Sequence, residues 1–209
     1  MRIVFKDVAF AYSGHAVLDG FSAVIEPGRV TALVGPSGSG KSTALAAIGG
    51  YHDPVAGEIT LQDASGRHHG PGQRHVCWVP QNAAVMSRRS VLDNVLVAPL
   101  AAGLDLDEAR EIAQIVLGQV GLVGRFGSLA GSLSGGEKQR VAFARALASA
   151  RPVLLADEPT SSLDARSTGD IARILADMTS SSTVVVATHD PLVIDSADAV
   201  VALRGAHGA

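Results

Sequence analysis

A short apolar segment that runs directly into a glycine-rich loop restricts the fold more than any other feature of this chain. Residues 30–34 (VTALV) have the character of a buried strand, and the loop that follows begins at Gly35 and ends in Gly40, Lys41 and Ser42. The pattern G-x4-G-K-S between a strand and a helix is the phosphate loop, in which successive backbone N–H groups surround phosphate oxygens. A merely flexible turn does not require the complete pattern in this position. The sequence therefore predicts a strand–loop–helix unit that holds the phosphates of a nucleotide.

Short apolar strands alternate with helices along much of the chain. We predict β segments through residues 1–34, a helix over 42–50, strands within 57–80, a helix over 135–150, a strand over 152–157, a helix over 165–179, and strands over 183–188 and 199–203. Alternation of this kind predicts a doubly wound α/β fold. The 209 residues contain no internal repeat, no second phosphate loop and no long linker, which indicates one domain.

The middle of the chain has a different pattern and predicts a helical insertion over about residues 83–132. Asp105 and Glu108 form a capping pattern at the start of one helix, and Gly121 suits its end. Apolar residues at helical spacing lie between them.

Composition excludes several classes of protein. The net charge of −3 and the absence of a long basic run give no electrostatic support for nucleic-acid binding. Apolar residues make up 47% of the chain, but no uninterrupted run reaches the ~18 residues that a membrane span needs. The first residues lack the apolar core of a signal peptide. Cys77 is the single cysteine, so no intrachain disulfide forms, which agrees with a reducing cytoplasm.

Two adjacent carboxylates follow the apolar segment 153–156. Asp157 has the position of an acid on the magnesium side of a phosphate site, and Glu158 is a candidate general base for an attacking water. By themselves these acids could be a solvated turn before Pro159. The phosphate loop favours the catalytic interpretation, with Lys41 reaching the β- and γ-phosphates and the Ser42 hydroxyl binding Mg²⁺.

A second glycine-containing motif, Leu133-Ser134-Gly135-Gly136-Glu137, precedes the predicted helix 135–150. In isolation it is a helix cap, but a helix N-terminus with free N–H groups also binds anions. Beside a phosphate loop it resembles the signature of the ATP-binding cassette family. The resemblance covers essentially the whole chain and continues through three further segments, EKQR at 137–140, ARAL at 144–147 and DEPTSSLD at 157–164.

The resemblance implies a phosphate-loop NTPase core with a mixed or parallel sheet flanked by helices, an N-terminal antiparallel β-subdomain and an inserted helical subdomain. The core and β-subdomain would be formed by 1–82 and 133–209, and the helical subdomain by about 83–132. The implied ligands are ATP and Mg²⁺. The implied ATP-binding residues are Tyr12 (stacked on adenine), Gly35, Pro36, Ser37, Gly38, Ser39, Gly40, Lys41, Ser42, Thr43, Ser134, Gly135, Gly136, Glu137 and Asp164.

The family's catalytic positions are also implied by the resemblance. The Mg²⁺ residues would be Ser42, Gln81 and Asp157, and the catalytic residues Lys41, Gln81, Glu158 and His189. Without the resemblance, His189 would be an ordinary surface residue at a strand end and Tyr12 an ordinary packing residue. Ser161, Leu163 and Asp164 match a loop that crosses the interface between two subunits.

The implied function is that of an ATPase subunit of an ABC transporter, in which two copies clamp ATP between the phosphate loop of one and the signature of the other. The partners would be a second ATPase subunit, in a homodimer, and separate transmembrane permease subunits. The chain would contact the membrane through those partners, on its cytoplasmic face. The closing stretch, 188–201, and the spacing from Gln81 to residues 92–95 resemble the lipoprotein-release and macrolide-export branch. Two alternatives remain: an importer ATPase, and an ABC ATPase that regulates a membrane partner without transport.

Two further groups of residues give weaker hypotheses. His68, His69 and His75 could suggest a metal site, but their loop lacks a carboxylate or cysteine at ligand spacing, which favours a surface turn. Apolar residues just after Gln81, with arginines between them, suggest a contact with a membrane subunit; they are Val85, Met86, Val91 and Leu92, with Arg88 and Arg89. The alternative is that they pack within the insertion itself, and our hypothesis is that Met86 and at least one of its neighbours line a docking groove.

Overall fold

The computed structural model describes residues 1–12 and 15–205, which form two sheets and six α-helices. The strands are β1 (Arg2–Tyr12), β2 (His15–Ile25), β3 (Val30–Val34), β4 (Ala56–Gln62), β5 (His68–His69), β6 (Val76–Val79), β7 (Val153–Asp157), β8 (Thr183–Ala187) and β9 (Ala199–Ala202). The helices are α1 (Lys41–Ile48), α2 (Val91–Ala101), α3 (Leu106–Gln119), α4 (Gly135–Ala148), α5 (Ala165–Met178) and α6 (Pro191–Asp195).

The two sheets differ in strand direction. One sheet is antiparallel, with the order β2-β1-β4-β5, and the other is parallel, with the order β6-β7-β8-β3-β9. Each connection between the parallel strands runs through a helix or a longer segment, as parallel pairing requires. The predicted α/β class, with an antiparallel N-terminal sheet and a parallel sheet flanked by helices, is confirmed.

The parallel sheet separates two apolar cores. Along β8, Val184 and Val186 belong to the core shared with α2 to α5, whereas Val185 and Ala187 belong to the core shared with α1 and the antiparallel sheet. Side chains alternate between the two faces of a strand, so a strand buried on both faces must be apolar at every position. This explains the continuous valine run of β8, and it holds the carboxyl ends of β3, β7 and β8 side by side.

The middle of the chain is helical, as predicted, from α2 onward. Asp105 caps α3 in a reciprocal capping box with Glu108, and the chain leaves the helix through Gly121 at a φ of 71°. Two short 3₁₀ turns, Val123–Arg125 and Ala130–Ser132, connect α3 to α4. Residues 83–90, which were expected to be part of the helical insertion, are not helical.

A buried polar cluster attaches this non-helical segment to α2 and α4. The Asn94 side chain is fully buried; its Oδ1 accepts from the Met86 N–H at 2.7 Å, and its Nδ2 donates to the carbonyl oxygens of Met86 and Ser90. Arg145 of α4 donates to Asn94 Oδ1, to the Asn94 carbonyl and to the Ala84 carbonyl, at 2.9 to 3.0 Å. Every polar atom of the Asn94 amide therefore has a partner.

We expect Asn94→Ala to lower the free energy of unfolding by about 3 kcal/mol, because it leaves buried backbone groups and the Arg145 guanidinium without partners. Urea denaturation of the variant and the parent protein measures the difference. Gln114→Ala, which removes an exposed amide from α3, is the matched control and should change the value by less than about 0.5 kcal/mol. Equal effects of the two substitutions would show that the Asn94 cluster does not stabilise the fold.

Candidate functional site

The phosphate loop connects β3 to α1, as predicted, and the chain after β9 supports it from one side. A Cβ atom at Gly35, where φ is 157°, would lie 2.5 Å from the Leu203 carbonyl oxygen, so glycine is required for this close approach. Lys41 Nζ donates to the carbonyl oxygens of Gly35 at 2.9 Å and Pro36 at 3.2 Å. These bonds hold the ammonium group beside the loop.

The two predicted carboxylates lie at the end of β7, next to the phosphate loop. The Ser42 hydroxyl donates to Asp157 Oδ1 at 3.1 Å. Burial raises the pKa of Asp157, and the neighbouring Glu158 charge raises it further, while the bond from Ser42 lowers it. A cation near Asp157 would lower this pKa again, because it would stabilise the charged carboxylate that burial disfavours.

Glu158 adopts an unusual backbone conformation that directs it towards His189. Its φ is 44°, in the left-handed region, and its N–H donates to the Ala187 carbonyl at 2.8 Å. His189 Nδ1 lies 2.9 Å from Glu158 Oε2. The Glu158 side chain is 17% exposed and that of His189 is 72% exposed. The carboxylate is therefore largely enclosed while the imidazole remains open to solvent.

One cavity of about 760 Å³ brings most of the predicted residues together. Its walls are formed by the phosphate loop, Gln81, Glu158, His189 and Val17, and the loop residues are Gly35, Pro36, Ser37, Gly38, Gly40, Lys41, Ser42 and Thr43. The predicted Ser39 is buried behind the loop. Tyr12 belongs to β1 by its backbone, but its side chain lies outside the described residues. Val17 was not predicted, because one valine in an alternating strand gives no signal of its own.

Oxygen donors suited to a hard divalent cation converge at one side of this cavity. Ser42 and Asp157 are already in contact, and Gln81 reaches across to donate from Nε2 to the Ser161 hydroxyl at 3.1 Å. Hydroxyl, carboxylate and amide oxygens are the ligands that Mg²⁺ prefers. Within residues 1–12 and 15–205, no group of three or more His, Cys, Asp or Glu side chains is arranged to hold a metal. A cation here would thus take its remaining ligands from phosphate and water.

The signature motif lies at a different cavity. Ser134 caps α4 and forms a reciprocal capping box with Glu137, in which the Ser134 N–H donates to Glu137 Oε2 at 2.9 Å and the Glu137 N–H donates to Ser134 Oγ at 3.2 Å. A Cβ atom at Gly136 would lie 2.8 Å from Ser167 Oγ of α5, so α4 and α5 approach closely here. This cavity has a volume of about 350 Å³.

Asp164 lies at the signature cavity and not at the phosphate loop. It caps α5 by accepting from the Ser167 N–H at 2.9 Å, and that bond lowers the pKa of its carboxyl group. Within one chain, the predicted nucleotide-binding residues thus form two groups that line separate cavities. Gly135 is exposed at the start of α4, where its N–H faces the end of the helix.

The histidine-rich loop contains a contact that its sequence spacing does not reveal. Asp63, which precedes the loop, accepts a bond from His69 at 2.7 Å, and this contact holds the pKa of the Asp63 carboxyl group well below its usual range. The rings of His69 and His75 lie 4.8 Å apart. The histidines therefore have a carboxylate neighbour that lies outside their loop, and the described residues around it form no group of three or more side chains arranged to hold a metal.

Only part of the apolar group considered for the docking groove is exposed. Val91 is fully buried, and Val85 and Leu92 pack partly against the same core, because α2 turns its apolar face inward. Met86 remains 40% exposed and lies between Ala84 and the exposed Arg88. Val91 therefore cannot line an open groove, while Met86 can contact another protein.

Comparisons with known proteins identify similar chains. Residues 18–161 match the family described as ABC transporter. The mycobactin import ATP-binding/permease protein IrtB of Mycobacterium tuberculosis is 41% identical over 212 residues, covering 95% of this chain and 36% of IrtB. The macrolide export ATP-binding/permease protein MacB of Chromobacterium violaceum is 37% identical over 196 residues, covering 90% of this chain and 30% of MacB. The structure of cbiO1 from Clostridium perfringens, part of the ABC transporter complex cbiONQ, superposes with a TM-score of 0.88 at 29% identity, covering 97% of this chain and 84% of cbiO1.

The matches to IrtB and MacB cover most of this chain but only a minor part of each relative. The chain spans 36% of IrtB and 30% of MacB, and both of those relatives combine ATP-binding and permease parts in their names. The predicted likeness to macrolide exporters agrees with the MacB match, but a mycobactin import protein matches as well. In the part of the chain that the structure describes, no helix has the length and apolar character needed to cross a bilayer.

Proposed function

This chain belongs to the ABC transporter family, and on that premise we propose that it binds and hydrolyses ATP as a dimer that drives transport through separate membrane subunits. One observation carries the proposal: the phosphate loop and the signature line separate cavities of one chain. A chain with its own phosphate-binding loop needs no second anion site for the same nucleotide. The signature is therefore assigned to the ATP of a partner subunit.

In the proposed site, ATP lies on the phosphate loop with its γ-phosphate directed towards Glu158 and His189. The backbone N–H groups of the loop and the N-terminus of α1 bind the phosphates, and Lys41 places a positive charge on the β- and γ-phosphates. Val17 lies against the loop, 3.2 Å from the position of a Cβ atom at Gly40, where it can contact the nucleoside. Tyr12 is assigned to the adenine ring.

Hydrolysis requires a base that orients water in line with the γ-phosphate. Glu158 is assigned this role because it is largely enclosed and its Oε2 atom lies 2.9 Å from His189 Nδ1. His189 is assigned to the γ-phosphate, and Gln81 to the attacking water. Ser42, Asp157 and Gln81 would hold Mg²⁺, which supplies neutralisation of the phosphate charge.

The second half of each composite site is assigned to the partner's signature. Ser134, Gly135 and Gly136 begin α4, whose N–H groups and dipole favour an anion at this end of the helix. Ser161 and Asp164 lie between the two cavities, since Ser161 contacts Gln81 and Asp164 lines the signature cavity. This loop is assigned to the dimer interface.

The assignment of membrane partners rests on the family of this chain and on the exposed surface at Met86. We assign the segment from α2 to the start of α4 to a helical subdomain that would move when ATP binds, and Met86, in the non-helical segment before α2, is an exposed apolar residue. We assign the chain to the cytoplasmic face of a membrane, attached through permease subunits. The match to MacB supports an export or lipoprotein-release system, with an import system as the alternative that IrtB represents.

Mixing two inactive variants tests whether the signature acts on the partner's ATP. Lys41→Ala removes the phosphate-loop charge but keeps the signature, whereas Ser134→Arg blocks the signature but keeps the phosphate loop. A mixed dimer then contains one intact composite site, formed by the loop of one variant and the signature of the other. We expect the mixture to hydrolyse ATP faster than the sum of the two variants measured separately.

The control is a mixture of Lys41→Ala with a Lys41→Ala, Ser134→Arg double variant, in which no dimer has an intact composite site. Activity of the two-variant mixture at the level of this control would assign the signature to its own subunit's nucleotide. Binding of ATP to monomeric Ser134→Arg, measured by calorimetry, should equal that of the parent chain.

A further inference from the structure

The signature of this chain carries a negative charge at the point where the proposed function places a negatively charged phosphate. Glu137 is the third residue of α4. The hydrogen bond from the Ser134 N–H lowers the pKa of its carboxyl group; partial burial acts in the opposite direction, and Arg125 lowers the pKa further. The carboxylate is therefore ionised at neutral pH. A carboxylate in the first turn stabilises a helix, but it repels a second anion at the same helix end.

Arg125 compensates this charge directly. It belongs to the 3₁₀ turn Val123–Arg125, and both its Nε and Nη2 atoms lie 3.1 Å from Glu137 Oε1. The other carboxylate oxygen, Oε2, accepts from the Ser134 N–H. Both carboxylate oxygens are thus engaged, and the Glu137 side chain is held in one orientation beside the N-cap of α4.

Two of the carboxylates around the signature cavity form ion pairs. The side chains lining the cavity carry three carboxylates and two guanidinium groups, namely Glu137, Asp164, Asp170, Arg140 and Arg166. Asp170 pairs with Arg140 at 3.2 Å and with Arg173 at 2.6 Å. Among the described residues Arg125 is the cation paired with Glu137, so without Arg125 the unpaired carboxylate would disfavour an anionic ligand nearby.

We propose that Arg125 is a positioning residue that neutralises and orients Glu137, so that the signature can receive the γ-phosphate of the partner's ATP. This inference rests on the proposed function and adds a residue of the segment between α3 and α4 to the composite site. As a partly exposed ion pair, Arg125 and Glu137 contribute little to the stability of the fold. Their contribution is to binding of the anion.

The test uses the full chain with Glu158→Gln added, because slow hydrolysis preserves the ATP-bound dimer. Analytical ultracentrifugation with Mg-ATP gives the ATP concentration at which half of the protein is dimeric. We expect Arg125→Gln to raise this concentration at least about tenfold, because the unneutralised Glu137 carboxylate then repels the bound phosphate. Arg110→Gln, at an exposed position on α3, is the matched control and should have no effect.

Two further measurements separate neutralisation from a purely structural role. Adding Glu137→Gln to Arg125→Gln removes the unpaired charge, so the double variant should recover most of the lost dimerisation. Raising the salt concentration should also reduce the defect of Arg125→Gln, since repulsion between charges is screened. Arg125→Lys keeps the charge and should lie close to the parent, and thermal unfolding of each variant confirms that it is folded.

The possible results are distinct. If the chain with Glu158→Gln alone does not dimerise with ATP, the proposed function fails. If it dimerises and Arg125→Gln behaves like Arg110→Gln, the inference about Arg125 is overturned while the proposed function stands. A double variant as weak as Arg125→Gln, or a defect that salt does not reduce, also overturns neutralisation as the role of Arg125.

Discussion

Replacement of Glu158 by glutamine is expected to slow ATP hydrolysis by at least about 100-fold while ATP still binds, since a positioned general base contributes that much to the rate. Glutamine keeps the size of the side chain and can still contact His189, but it cannot accept a proton from water. Steady-state release of inorganic phosphate measures the rate, and equilibrium binding measures the affinity. Size-exclusion chromatography with Mg-ATP should show a dimer that persists because its nucleotide is not hydrolysed.

Glu111→Gln is the matched control, because Glu111 is exposed on α3, away from both cavities. It should hydrolyse ATP at the parental rate. A Glu158→Gln protein with parental turnover would remove Glu158 from the reaction. A variant that is slow but stays monomeric at high ATP and protein concentrations would contradict the dimer while leaving Glu158 as the base.

Replacement of Lys41 by alanine should reduce turnover by at least about 100-fold, the loss typical when one preorganised charge contact to the reacting group is removed. The Lys41 ammonium lies beside the phosphate loop, bonded to two of its carbonyl oxygens, so its loss removes a positive charge from the phosphates. Because the substitution removes no core contact, the circular dichroism spectrum should remain that of the parent. Phosphate release and nucleotide binding are the measurements.

Lys6→Ala serves as the control for this charge deletion. Lys6 is exposed on β1 and pairs with Glu58 at 3.6 Å, an interaction of little energetic weight. Its removal should leave turnover unchanged. Parental activity in Lys41→Ala would mean that the glycine-rich loop does not hold the nucleotide phosphates.

The order of elements along the chain could be predicted from local patterns. Three local patterns predicted the structure that forms at each place: the phosphate loop, the capping box at Asp105 and the valine run of β8. They could do so because turn chemistry, capping and two-sided burial act over a few residues. The order of the strands in the parallel sheet could not be predicted in this way. Nothing in residues 30–34 indicates that β3 lies between β8 and β9, since pairing depends on contacts between segments far apart in the sequence.

The candidate site divides in the same way. Residues within motifs, such as Lys41 and Glu158, could be proposed from the sequence, and the structure brings both to one cavity. The positions of Val17, Arg125 and the Asn94 cluster could not be predicted, because each contacts a distant segment and has no motif of its own. The sequence could not show which apolar residues near Met86 are exposed, for a related reason: an apolar residue at a helix start, such as Val91, has the same appearance in sequence whether it faces the core or a partner protein.

The placement of β3 has a consequence for how the chain is made. Its two neighbours in the sheet, β8 and β9, are the last strands of the described chain, and the carbonyl of Leu203 abuts Gly35. During synthesis, β3 and the phosphate loop leave the ribosome before β8 and β9 and have neither neighbouring strand to pair with until those two emerge. Pairing between such distant segments forms late in folding. The phosphate loop of a nascent chain therefore lacks its neighbouring strands and the contact with Leu203 until β8 and β9 have both been translated.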